Sequence, residues 1–143
     1  MKRVLALLAV IAAAGFGALP VLAQEEKPYT VQDGNKVDPG TYNGFRRYHA
    51  ACHTCHGPDG LGSSYAPNLV DSLKRLTYDQ FTEVVINGRQ NLAGGQEKVM
   101  PAFGNVEDVA TYIDDLYAYL KARADGALGR GRPQRIAGAA TQG

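Results

Sequence analysis

Cys52-His53-Thr54-Cys55-His56 sets two thiols three positions apart and follows the second at once with a histidine. On one turn of backbone, each sulfur can add to one vinyl group of the same porphyrin, and the adjoining imidazole is carried under the ring toward its iron. A chain built this way has a flat apolar group to bury as well as its own side chains. Three other uses of paired cysteines compete with covalent haem. A thioredoxin-type Cys-x-x-Cys follows a strand in a βαβ setting, and no strand pattern precedes Cys52. A zinc site needs four ligands at paired spacings; there are only two cysteines, and His49 and His53 are poorly placed to complete the set. A disulfide is possible but leaves His56 without a role.

The N-terminus reads as an address. Lys2-Arg3 precede an apolar run over residues 4–19, and Val21-Leu22-Ala23 fits a cleavage site, so residues 1–23 are expected to be removed as an export signal. An uncleaved anchor is the alternative, but the run is short for a span and broken by Gly15, Gly17 and Pro20. No other segment is long and apolar enough to cross a bilayer. Export to the periplasm agrees with the cysteine usage, because both thiols are consumed as thioethers. The chain has 15 basic and 14 acidic residues. Losing Lys2 and Arg3 leaves the acids in slight excess, so no basic field exists to bind nucleic acid. The chain is read as a monomer.

Residues 24–38 are polar and read as an extended leader. Residues 39–123 form the domain, and 124–143, rich in Gly, Ala and Arg, form a tail with no core of its own, either draped over the domain or mobile. A first helix is expected from Pro39, capped by Asp38, with Gly44 and Tyr48 on one face. Gly44 is expected to admit another helix closely. Residues 57–76 read as loop. Thr77 and Gln80 form a capping box for a second helix with a Phe81, Val84, Val85 stripe and a stop at Gly88. Residues 89–104 are irregular. Asn105 is expected to cap a last helix whose apolar face runs from Val106 through Val109, Ile113, Leu116 and Tyr117 to Leu120.

With His56 on one side of the iron, a second ligand is wanted. Met100 is the one methionine left after the signal, in a loop stiffened by Pro101, and a thioether suits iron that cycles between two oxidation states. Core filler is its other use; His49, His53 and Lys98 are rival ligands. The Pro67 carbonyl is a candidate to accept a hydrogen bond from the other His56 nitrogen. Leu69, Tyr65, Arg89 and Phe103 are expected around the pocket, with Arg75 and Tyr78 as further candidates for the haem propionates.

Gly44, Tyr48, Cys52, Cys55, His56, Pro67, Leu69, Met100 and Leu116-Tyr117-Ala118-Tyr119-Leu120-Lys121 together resemble the class I c-type cytochromes. The resemblance implies an all-α fold, its helices packed around one covalent haem c, with the first and last helices crossed near Gly44. It implies Cys52 and Cys55 as attachment sites and His56 and Met100 as axial ligands. Further stretches are similar to the cytochrome cL-like acceptors of PQQ-dependent methanol and alcohol dehydrogenases: Tyr42-Asn43-Gly44-Phe45-Arg46-Arg47-Tyr48-His49, Asn87-Gly88-Arg89, Val99-Met100-Pro101, Tyr112-Ile113-Asp114-Asp115-Leu116-Tyr117-Ala118-Tyr119-Leu120-Lys121-Ala122-Arg123 and Gly131-Arg132-Pro133. That likeness implies a one-electron carrier between such a dehydrogenase and a terminal oxidase or another cytochrome, not an enzyme. A shuttle for another respiratory donor is the alternative. A haem peroxidase or gas-binding module would need an open sixth position at the iron.

Overall fold

The computed structural model describes residues 26–91 and 98–138. The expected signal over residues 1–23, the Gly94-Gly95 part of the second loop and the end of the tail lie outside the described residues.

Strand β1 (Val31–Gln32) turns back through Asp33-Gly34 into β2 (Lys36–Val37), pairing Val31 with Val37. Asp38 then starts helix α1 (Pro39–Ala51) as expected: its carboxylate accepts from the Thr41 amide at 2.9 Å and the Thr41 hydroxyl at 2.7 Å. Cys52 ends α1 and leads directly into the one-turn helix α2 (His53–His56). After a tight turn at Pro58–Gly60, Asn68 caps another single turn, α3 (Leu69–Ser72), inside what the sequence reads as loop. Helix α4 (Tyr78–Asn87) carries the predicted Thr77–Gln80 capping box and ends at Gly88. A hairpin follows, β3 (Arg89–Asn91) against β4 (Lys98–Met100).

The expected last helix is two. Val106, not Asn105, precedes α5 (Glu107–Ala110), and α6 (Ile113–Ala124) begins anew after Tyr112, whose φ of −110° and ψ of 31° break the run. The Arg47 guanidinium grips this joint from α1, lying 4.2 Å from the Tyr112 ring centre and 2.7 Å from the Asp108 carboxylate. Strand β5 (Gln134–Arg135) then returns to lie parallel to β2, giving the order β1-β2-β5. The leader and tail therefore meet in one small sheet, and Val37 and Leu128 from them are buried in the core.

The expected crossing of α1 and α6 is present. A Cβ built on Gly44 would stand 1.8 Å from the Asp115 carbonyl oxygen and 3.0 Å from the Tyr119 Cβ. Only a residue without a side chain lets the two backbones touch there. Tyr48 and Tyr119 pack behind the contact with rings tilted at 48° and centres 5.5 Å apart, both fully buried, and Leu116 and Leu120 continue the α6 face inward. Asn43 fastens the crossing by donating to the Asp115 carboxylate at 2.7 Å, and burial raises that carboxyl above its ordinary value.

Two outcomes follow from this packing. Gly44→Ala should destabilise the holoprotein by about 3 kcal/mol, because backbone must move to admit the methyl group; a loss near zero in urea unfolding would mean the helices do not touch. Leu128→Ala should cost about 2–3 kcal/mol in the same assay, a loss that a loosely attached tail would not produce.

Candidate functional site

Helices α2 to α6 and the β4 end surround an apolar cavity of about 50 Å³. Its lining is apolar apart from Cys52 and His56: leucines of α3, α6 and the loop after α3, Phe81, Val84 and Val85 of α4, Met100, Phe103 and Val109. The capping box sets α4 so that its predicted stripe faces inward.

His56 is buried at 6 % exposure. Its Nδ1 donates to the Pro67 carbonyl at 3.0 Å, which leaves Nε2 as the nitrogen free to ligate. Glycines bring the two partners together. Gly57 and Gly62 have φ of 73° and 85°, and a Cβ on either would stand within 3.0 Å of loop backbone. The Gly62 amide donates to the His56 carbonyl at 2.7 Å, the Tyr48 hydroxyl donates to the Gly57 carbonyl at 2.5 Å, and the Ser63 hydroxyl donates to the Cys55 carbonyl. The loop after the pentapeptide is thus folded back on it.

Met100 reaches the same cavity from β4. The backbone beyond it caps α4: Phe103 and Gly104 amides donate to the Val85 and Ile86 carbonyls, both at 3.0 Å. Gly88, at φ of 75°, makes room, since a Cβ there would stand 2.7 Å from the Met100 carbonyl oxygen. Cys55 is exposed and outside the cavity lining, whereas Cys52 is half-buried in the wall, and burial, then the neighbouring Cys55, pushes its thiol up to about 11.

The candidate residues divide. Cys52, His56, Met100, Leu69 and Phe103 line one cavity, and Pro67 meets His56. Tyr65 does not: it is 76 % exposed. Arg89 is exposed and outside the lining as well. Arg75 and Tyr78 line a neighbouring groove, where the Tyr78 hydroxyl donates to Asp114. His49 and His53 stack on one another outside the cavity, and His49 Nδ1 donates to the Phe45 carbonyl at 2.9 Å; the Lys98 side chain lies outside the described residues. Sequence reasoning missed Leu73, Leu76 and the supporting role of Gly88, although the closely spaced glycines from Gly57 to Gly62 did mark a constrained loop.

The donor set fits a covalent haem. One thiol and an imidazole oriented through its Nδ1 line an apolar cavity, and the second thiol, next to that histidine in sequence, stands exposed outside it. The other cysteine chemistries find less here. Cys52 follows a helix rather than a strand, and no group of three or more His, Cys, Asp or Glu able to hold a metal ion occurs among the described residues.

Comparison with known proteins agrees. The family model described as cytochrome c oxidase, cbb3-type, subunit III matches residues 41–120. Cytochrome c-553I of Paracoccus denitrificans is 47 % identical over 113 residues, which are 79 % of this chain but only 50 % of that protein. Cytochrome c-555 of Methylococcus capsulatus is 47 % identical over 100 residues, covering 69 % of this chain and 75 % of the relative. The crystal structure of the c-type cytochrome XoxG from Methylobacterium extorquens AM1 superposes with a TM-score of 0.69 at 50 % identity, over 80 % of this chain and 76 % of that one. With this cavity, this pentapeptide and these relatives, the chain belongs to the monohaem class I c-type cytochromes and carries haem c.

Proposed function

We propose that the protein is a one-electron carrier in which His56 and Met100 ligate the haem iron. The observation that carries this reading is that these two side chains, far apart in sequence, line the same apolar cavity. Haem c bound there supplies a one-electron Fe(II)/Fe(III) couple. Cys52 and Cys55 fasten it through thioethers. The Pro67 carbonyl fixes the His56 tautomer and holds the ring in one orientation, so Nε2 is presented in the same place in both oxidation states. Met100 adds a soft, neutral thioether, which raises the potential relative to two nitrogen ligands. The leucine, valine and phenylalanine walls exclude water. No substrate bond is made or broken.

The donor we infer is a PQQ-dependent alcohol dehydrogenase, with a terminal oxidase or another cytochrome as acceptor. The likeness of residues 42–49, 99–101 and 131–133 to acceptors of such dehydrogenases supports it, as does a structural neighbour from a methylotroph. The carrier works in the periplasm once residues 1–23 are removed, with residues 39–123 as its haem domain. No helix among the described residues is long and apolar enough to cross a membrane.

Met100→Ala should abolish the methionine-to-iron(III) charge-transfer band, lower the potential by on the order of 100 mV and open the iron to CO. A wild-type protein already high-spin and binding CO without delay would instead favour a peroxidase or gas-binding module. For the donor, mixing reduced PQQ dehydrogenase with oxidised holoprotein should reduce the haem within the mixing experiment. No reduction would remove that donor and leave the carrier reading intact.

A further inference from the structure

Three residues after His56 stands a side chain with no part in the site described above. Asp59 is buried at 6 % exposure and adopts a φ of 60°. Both features oppose stability in isolation. A non-glycine residue resists the left-handed region, and a carboxylate resists leaving water. Such a residue persists where its surroundings over-determine it.

The surroundings are the C-terminal segment. The Asp59 carboxylate accepts from the Gly131 amide at 3.0 Å and from Arg130 Nε at 3.4 Å. Its main-chain carbonyl accepts from Arg123 Nε at 3.3 Å, and Arg123, itself buried, also donates to the Leu128 carbonyl at 2.9 Å. Beyond these, the segment is tied to the leader: Gly129 and Gln134 amides donate to the Gly34 and Asn35 carbonyls at 3.0 and 2.9 Å. Asp59 is the point where this strap grips the haem-binding half of the domain.

The grip falls on the stretch that orients His56. Asp59 lies between Gly57, fixed by Tyr48, and Gly62, whose amide holds the His56 carbonyl and whose Cα packs against Asn68, next to Pro67. We propose that Asp59 is a positioning residue: by fastening residues 126–138 to the loop after the attachment motif, it stiffens the loop that holds the Pro67 carbonyl against His56 Nδ1. This rests on His56 being the iron's ligand, as proposed above.

The test compares holoproteins carrying Asp59→Gly and Asp59→Asn. Glycine removes the carboxylate while accepting the same φ, and it leaves the Arg123 bond to the main chain, so the variant keeps its route to folding. Asparagine also tolerates that φ and keeps an oxygen for the Gly131 amide. NMR hydrogen exchange reads the His56 Nδ1 proton and the Gly131 amide, and electrochemistry reads the potential. In Asp59→Gly the Nδ1 proton should exchange about tenfold faster or more, and the potential should rise, because a weaker bond to Pro67 leaves a less basic imidazole to stabilise Fe(III). Asp59→Asn should restore most of both. Arg132→Gln, which alters the strap only at Tyr42, should change neither. Unchanged Nδ1 exchange and potential in Asp59→Gly, with only the Gly131 amide released, would overturn the proposal. A wild-type holoprotein without an iron-shifted His56 imidazole resonance would instead remove the ligation reading, and the inference with it.

Discussion

Everything in this domain hangs on the touching of two helix backbones at Gly44 and Asp115. Hydrophobic side chains can be exchanged within limits, but a Cβ where a carbonyl oxygen already stands cannot be repacked around. The contact fixes α6 against α1, and two functions follow from that single placement. The inward face of α6 supplies Leu116 and Leu120 to the cavity wall. The other end of α1 runs straight into Cys52 and presents the attachment motif to that wall. Frame and site are thus coupled covalently at one end and by van der Waals contact at the other.

The site itself is an exercise in separating polar from apolar. The cavity offers almost nothing to solvate a charge, yet a metal ligand has to be held in it at a defined angle. The chain resolves this by keeping the orienting hydrogen bonds on the outer side of the loop, between His56 and Pro67 and between Tyr48 and Gly57, while the inner side stays greasy. Burial pushes the Tyr48 phenol well above its ordinary value, which keeps it protonated and therefore a donor to that carbonyl. A buried polar group tolerated for its geometry is what a cofactor that must not rearrange demands.

Much of this was legible in the sequence because it depends on local chemistry. The pentapeptide, the Asp38 and Thr77 caps and the helical spacing of α4 and α6 each need only neighbouring residues to be read. Gly44 was legible for a related reason: a glycine in a helix interior calls for an explanation, and close approach is the physical one. What escaped reading depends on distant partners. Tyr65 looked suited to a pocket and points into solvent instead. The break at Tyr112 is held by a partner on another helix, Arg47. The tail's composition conceals that Leu128 is core, since its burial comes from packing against the rest of the domain and not from its own pattern. Pro67 was found because the motif asked for an acceptor, whereas nothing local asked for Asp59.

The parallel pairing of β2 with β5 carries a consequence for how the molecule is made. A chain is synthesised from its N-terminus, so Cys52 and Cys55 exist long before Gln134 and Arg135. Until those last residues arrive, β2 has one free edge and Asp59 has no Gly131 amide to accept. The contacts that close the strap can therefore form only after the attachment motif is already in the chain.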